Sequence, residues 1–217
     1  SALIDSAALA RMKDGVHIIN CSRGGIIVEK DLLAALAQGK AAELIAAQGV
    51  TFTIASTPFL DDLTNAARDR PQTMASLRTF VAAGAPIPRA LVGQAGETLG
   101  ASIVAMWGMT ENGPVVTTKP DDGPEKVSQS DGCVVPGMEI EVVDEQDQAQ
   151  PCGTEGRLLV RGAGMFIGYL KRPEWYAPGA DGWFDTGDLA RMDEDGYIRI
   201  TGRSKDVIIR GGENIPV

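Results

Sequence analysis

The stretch from Trp183 to Asn214, WFDTGDLARMDEDGYIRITGRSKDVIIRGGEN, constrains this chain more than any other. It opens on an aspartate among small, turn-forming residues, Asp185-Thr186-Gly187-Asp188. An alternating run, Leu189-Ala190-Arg191-Met192, then meets the turn Asp193-Glu194-Asp195-Gly196 and a second run, Tyr197-Ile198-Arg199-Ile200. Asp-Gly between two alternating runs predicts a β-hairpin. The stretch closes on Thr201-Gly202-Arg203, a charged step, the apolar Val207-Ile208-Ile209 and the pair Gly211-Gly212. A carboxylate at a turn can accept two hydrogen bonds from a vicinal diol, and a guanidinium a strand later can hold a phosphate or a ribose oxygen. Taken alone, TGD is equally well an acidic hairpin loop beside a surface arginine.

The whole ordered run, TGDL then DEDGYIRITGR then SKDVIIRGGEN, resembles a segment of the adenylate-forming acyl-CoA synthetases. In that family it joins a large N-terminal domain to a small mobile C-terminal one. The resemblance implies that Asp188 holds the ribose hydroxyls of ATP and acyl-AMP, and that Arg203 reaches ribose and phosphate. It also places Lys205 at the hinge about which the small domain rotates.

Composition narrows the partners. The 217 residues suffice for one large or two small domains with a sizeable core. A net charge of −9 argues against nucleic acid or an anionic membrane surface as a partner, and no apolar run is long enough for a membrane span. The three cysteines (Cys21, Cys133, Cys152) lie far apart without CxxC spacing, which reads as a reduced, cytoplasmic protein. The single histidine, His17, excludes a zinc site built on several histidines.

Residues 1–41 read as helix, strand, turn, helix, with Val16-His17-Ile18-Ile19-Asn20 as a short buried strand. MKDGVHIINCSRGGIIVEKDLLAALAQGK resembles the cofactor-domain stretch of D-2-hydroxyacid dehydrogenases such as phosphoglycerate dehydrogenase. That resemblance implies Arg23 as the arginine that grips a substrate carboxylate. The stretch departs from the pattern at Val28, where an aspartate usually caps the helix; losing such a cap costs about 1 kcal/mol. No GxGxxG precedes it and no second histidine follows, so a dehydrogenase reading fails and no NAD is expected. Arg23 is then a turn residue without its partners.

From about Ala42 onward the synthetase resemblance runs to the end. Val50 to Ser56 alternates as a strand, and Thr57-Pro58-Phe59-Leu60 turns into a helix reaching about Arg70. The family uses this turn on the acyl side of its pocket; plain core is the other reading of Phe59 and Leu60. Leu77 to Ala82 is an apolar strand followed by Ala83-Gly84-Ala85-Pro86. Small residues after a parallel strand let a planar ligand approach the backbone, and ligands of open α/β sheets bind at the carboxyl ends of strands. The resemblance sets Gly84, Ala85 and Pro86 against adenine.

Arg89 to Gly100 reads as a helix, and the strand Ser102 to Met106 delivers Trp107-Gly108-Met109-Thr110-Glu111-Asn112-Gly113. A threonine hydroxyl beside a glutamate at a strand end can hold an α-phosphate and, through the carboxylate, a magnesium ion. Trp107, with Gly108 behind it, offers a face for adenine. The competing reading makes Thr110-Glu111 a helix start. Lys119 to Gly132 reads as a polar loop, and short alternating strands at Glu139–Val143 and Gly156–Arg161 follow.

The expected fold is α/β: a doubly wound, mostly parallel sheet followed by a small β-rich subdomain. Its parts are a dehydrogenase-like strand and helix at 1–41 packed on the sheet, an α/β adenylate-binding subdomain at 42–120, a β subdomain at 121–201, and a hinge segment at 202–217. The two resemblances meet within one expected helix, Glu29 to Gln48, flanked by apolar strands. Strand, helix, strand is the repeating unit of a parallel sheet, so the first piece can act as a structural graft that completes the second. Rapid proteolytic loss of residues 1–41 from a folded remainder would contradict that.

The family's Ser/Thr/Gly-rich phosphate loop would lie upstream of Ala42, and nothing here resembles it. The small C-terminal domain and the lysine it contributes to adenylation would follow Val217. Those groups neutralise charge on the transferring phosphates. The expectation is therefore an incomplete ATP-dependent acid:CoA ligase for short or medium-chain acyl groups, inactive alone and retaining at most AMP or acyl-adenylate binding. The alternative is a non-catalytic recombined or engineered chimeric scaffold. ATP or AMP and Mg are the implied ligands, and a truncated sheet edge leaves room for self-association.

Overall fold

A computed structural model describes residues 7, 8, 11, 40–176, 178, 179, 181–204, 207–210 and 213–216. Apart from residues 7, 8, 11, 40 and 41, the dehydrogenase-like stretch, with Arg23, lies outside the described residues, as does the hinge residue Lys205.

Helix α1 (Lys40–Gln48) leads into strand β1 (Phe52–Ser56) and helix α2 (Thr57–Arg68). Pro58 presets the first turn of α2, where its missing N–H costs nothing. Its buried residues Thr57, Leu60, Leu63, Thr64 and Ala67 recur at helical spacing and make one face. The Thr64 hydroxyl donates to the Leu60 carbonyl at 2.6 Å, which satisfies its polar atom inside that face. Strand β2 (Thr79–Ala83), helix α3 (Arg89–Leu99) and strand β3 (Ser102–Met109) repeat the unit, and Gly100 in the left-handed region ends α3. Strands β1, β2 and β3 pair in parallel and in register, Ala55 with Ala82 and Ala82 with Ala105.

The α/β class is as expected, but parallel pairing stops at β3. Thr110–Asn112 is a hairpin turn to strand β4 (Gly113–Thr117), far too short for a parallel crossover. Helix α4 (Pro124–Gln129) lies where only a polar loop was expected. Its one apolar anchor, the buried Val127, is too little periodicity to read from sequence. Strands β5 (Gly132–Val134), β6 (Met138–Val143), β7 (Gly156–Gly162), β8 (Phe184–Met192) and β9 (Tyr197–Arg203) are all antiparallel and continue the same sheet. Its order is β1-β2-β3-β4-β5-β9-β8-β7-β6. A separate hairpin pairs β10 (Val207–Arg210) with β11 (Glu213–Pro216).

Two apolar clusters lie along this sheet. The first gathers α1, α2, α3 and the parallel strands around Leu60, Phe80, Val92 and Ala95. The second holds Val115, Val116, Leu158, Val160, Ala190 and Ile198, so it begins before the expected boundary at residue 120. Strand β3 serves both: Ile103 and Ala105 belong to the first, whereas Trp107 packs on the second. No helix among the described residues is long and apolar enough to cross a membrane. On strand β1 the apolar alternates, Phe52 and Ile54, face outward and are 56% and 53% exposed.

The hairpin expected around Asp193–Gly196 forms. Gly196 adopts φ 78°, its N–H donates to the Asp193 carbonyl at 3.1 Å, and Asp193 Oδ1 accepts the N–H groups of Asp195 and Tyr197. Asp185–Asp188, expected as a turn, lie instead within β8. The strand accommodates them through Gly187 at φ 74° and a register shift against β9.

Candidate functional site

At the carboxyl end of β2 Ala83 pairs with Met106, so Gly84 leaves the sheet beside Trp107, which continues in β3 against Val116 of β4. Gly84 sits at φ 79°, a conformation only glycine takes without strain. The next carbonyl, of Ala85, accepts the Thr57 hydroxyl at 3.0 Å, which ties this loop to the start of α2. Ala85 and Pro86 line a mostly apolar cleft of about 550 Å³ with Thr57, Pro58, Asp61, Leu91 and Gln94. Leu60 is fully buried in the core, so for it the core reading holds; Phe59 is half-buried.

Strand β3 continues into a bulge between Trp107 and Gly108. A methyl group on Gly108 would collide with the Gly113 carbonyl and approach Pro114 Cα at 3.1 Å, so the hairpin closes only around glycine. Its turn is fastened from within. Asn112 is wholly buried, and its Oδ1 accepts the Met109 N–H at 2.8 Å. Thr110 and Glu111 therefore sit at a β-turn, and the helix-start reading is overturned. Thr110 is exposed and Glu111 half-buried.

The Glu111 carboxylate is oriented by a residue that sequence reasoning missed. Tyr169 donates its hydroxyl to Glu111 Oε1 at 2.6 Å, and the Glu111 carbonyl accepts the Phe166 N–H at 2.8 Å. Burial first, and the neighbouring carboxylate second, push the Tyr169 phenol up to about 12, so it stays a donor. Its loop is held by edge-to-face stacking of Phe166 on Tyr169 and Tyr176. Nothing in a glycine-rich return 58 residues away in sequence signals this partnership.

The most enclosed charged group among the expected site residues is Asp188, 3% exposed. Strand pairing sets it opposite Arg203. Arg203 Nε donates to Oδ1 at 2.7 Å, and the Trp107 indole N–H donates to Oδ2 at 3.1 Å. Burial pushes the Asp188 carboxyl up from its ordinary range, while Arg203 and Trp107 pull it back. The backbone around it is equally tied: the Asp188 N–H donates to the Thr186 hydroxyl at 3.1 Å, which donates to the Leu158 carbonyl at 2.8 Å. The exposed Asp185 is taken up by Arg157 at 2.6 Å, which also bonds Asp147. Trp107, Asp188 and Arg203 thus converge, and Thr110 and Glu111 follow Trp107 on the same hairpin.

Three parallel strands continued by an antiparallel run, with a buried aspartate bonded from β3 and β9, make up the site, and sequence comparison identifies the family. Residues 21–170 match the family of AMP-binding enzymes, and the chain belongs to that family. The match reaches back into the stretch that resembled a dehydrogenase, and the comparisons lend that part of the reading no support. The chain is 40% identical over 174 residues to the medium-chain fatty-acid–CoA ligase of Escherichia coli, covering 79% of this chain and 31% of the relative. It is 35% identical to the mitochondrial medium-chain acyl-CoA ligase of Bos taurus, covering 81% of this chain and 29% of the relative. Among solved structures it resembles the amide bond synthetase McbA from Marinactinospora thermotolerans with TM-score 0.75 at 30% identity, over 82% of this chain and 36% of that one. ATP-bound MatB from Rhodopseudomonas palustris is similar at TM-score 0.69 and 28% identity, over 85% of this chain and 35% of that one. The chain spans about a third of the length of these relatives.

Proposed function

We propose that this chain is the adenylate-holding portion of an ATP-dependent acid:CoA ligase acting on short or medium-chain acyl groups. The observation that carries it is Asp188, a nearly buried carboxylate bonded on both oxygens. Burying such a charge is costly unless it is paired, and such groups concentrate at functional sites. A carboxylate has about four acceptor positions, so Trp107 and Arg203 leave room for two ribose hydroxyls. Arg203, whose side chain is 30% exposed, can meet a phosphate with its remaining donors. Gly84, Ala85 and Pro86 offer adenine a flat backbone surface, and Trp107 and Gly108 bound it on the next strand.

Thr110 is free to donate its hydroxyl to the α-phosphate oxygen on which negative charge sits. Magnesium, when bound, shields phosphate charge and orients the phosphates. The residues fit it: Glu111 gives one carboxylate oxygen to Tyr169, and among the described residues nothing meets the other. One carboxylate plus substrate phosphates is a usual magnesium environment. The names of the E. coli and Bos taurus relatives support the medium-chain class. A recombined, non-catalytic scaffold remains the second reading; the family match from residue 21 weighs against it.

Calorimetric titration with a non-hydrolysable acyl-adenylate analogue, with Asp188→Ala as control, tests the proposal. Saturable binding that is lost in the variant is expected, without turnover by the chain alone. A cooperatively melting protein that binds nothing would refute it.

A further inference from the structure

The hydrogen bond from Trp107 to Asp188 spans 81 residues of sequence and crosses the sheet from the parallel strand β3 to the antiparallel strand β8. It is the only side-chain bond from β3 to Asp188 among the described residues, and nothing about stacking on adenine requires it. The ring face and the ring N–H are separate tools. The face is available to a planar ligand whatever the N–H does. The N–H is spent on one oxygen of a carboxylate whose other oxygen is held by Arg203 at 2.7 Å.

From this we propose that Trp107 is a positioning residue for Asp188. Its indole N–H fixes the carboxylate plane and fills one acceptor position on Oδ2, as Arg203 does on Oδ1, so that each oxygen keeps one position for one hydroxyl of a vicinal diol. The inference rests on the ribose reading given above and deepens it. Two donors are needed because a carboxylate held at one oxygen can still turn about its side chain. Held at both, it presents a fixed pair of acceptors, and a fixed pair matches two neighbouring hydroxyls better than a mobile one. Among the described residues the charges around Asp188 are Arg203 and Asp185. Arg203 faces it from β9; Asp185 lies on its own strand and is paired with Arg157 of β7 at 2.6 Å.

The test uses the full chain, isotopically labelled, with AMP and 2′,3′-dideoxy-AMP as probes. In the nucleotide-free protein, the Trp107 indole proton resonance should shift as the Asp188 carboxyl titrates; an indole that ignores that titration shows that the bond is not made, and the proposal falls. AMP should leave the indole proton in its hydrogen-bonded position. Its release on AMP addition would make the bond a latch that the ligand opens, which contradicts positioning. Trp107→Phe keeps a smaller ring face and loses the N–H, and should weaken AMP about tenfold more than it weakens 2′,3′-dideoxy-AMP. Equal losses for both nucleotides would assign Trp107 to packing or stacking alone. If the wild-type chain binds no AMP, the ribose reading fails and takes the positioning role with it, while the indole titration still reports whether the bond exists.

Discussion

Gly108→Ala probes the tightest of the described glycines. The added methyl would overlap the carbonyl oxygen of Gly113, lie 2.8 Å from its carbon and 3.1 Å from Pro114 Cα. Every obstacle is backbone, so no side chain can swing away; the β3–β4 hairpin itself must open. Overpacking a well-fitted site costs about 1–3 kcal/mol, and a backbone obstacle sets this case at the upper end, about 3 kcal/mol. With a urea dependence of about 2–3 kcal/mol per molar, the midpoint should fall by about 1 M or more. Gly93→Ala provides the contrast. It lies inside α3 with nothing within 4 Å of the new methyl, so it should gain about 0.5–1 kcal/mol from helix propensity. Urea unfolding of both variants, followed by tryptophan fluorescence and far-ultraviolet circular dichroism, reads the difference. A Gly108→Ala midpoint within 0.3 M (roughly 1 kcal/mol) of wild type would refute the steric argument. The hairpin would then be looser than its geometry requires, and Thr110 and Glu111 less firmly placed.

Removing one partner of a buried ion pair is worse than removing both. Arg203→Ala should cost about 3 kcal/mol in chemical denaturation at neutral pH, because it leaves the Asp188 charge with one donor; adding Asp188→Asn should recover most of that. The pH dependence has a definite sign. The folded carboxyl lies above its unfolded value, so the fold is penalised once Asp188 ionises, and its contribution falls as pH rises from the ordinary carboxylate range to the raised value. The Arg203→Ala deficit should accordingly shrink in acid, and an unchanged deficit at low pH would contradict a charge-based cost. Tyr169→Phe should cost about 1 kcal/mol, reduced by partial exposure, and should lower Mg-dependent adenylate affinity more than metal-free affinity in calorimetric titration. Neutralising the exposed pair Arg70–Glu43 should change stability by under 1 kcal/mol, measured by the same unfolding assay.

Much of the scaffold was legible because it follows local rules. Asp193–Gly196 is a turn by its own residues, α2 starts at Thr57-Pro58 and carries one apolar face, and α3 stops at Gly100. Trp107, Asp188 and Arg203, whose side chains meet in the structure, were singled out through family likeness. What escaped depended on long-range partners. Asp185–Asp188 look like a turn because glycine and aspartate favour turns; pairing with β7 and β9 overrides that preference. Helix α4 has one buried apolar residue, below any periodic signal. Tyr169 meets Glu111 only because the loop carrying it is folded back by stacked aromatics. Alternation in β1 read correctly as a strand, but its apolar residues face outward, which no pattern within the strand reveals.

The same split explains where the site lies. Each apolar cluster can be recognised from its own segment, yet Asp188 is completed by Trp107 from the last parallel strand, β3, and by Arg203 from β9. Continuity of the sheet from the β3–β4 hairpin to β9 and β8 runs through β5, three residues long, which pairs with β4 on one side and β9 on the other. Asp131 reinforces it: its carboxylate accepts the Ile200 N–H at 2.8 Å and lies 3.5 Å from Arg199. A strand this short holds its neighbours weakly, so the Trp107–Asp188 bond and Asp131 carry part of the alignment of the two halves. Asp131→Ala should therefore loosen the proposed nucleotide site at a distance, lowering AMP affinity without touching a ligand atom. Amide exchange in β5 and β9 should speed up in that variant while the β1–β3 core stays protected. Faster exchange spread evenly over both clusters would mean that the two halves unfold as one unit, and that the join through β5 is no weaker than the rest.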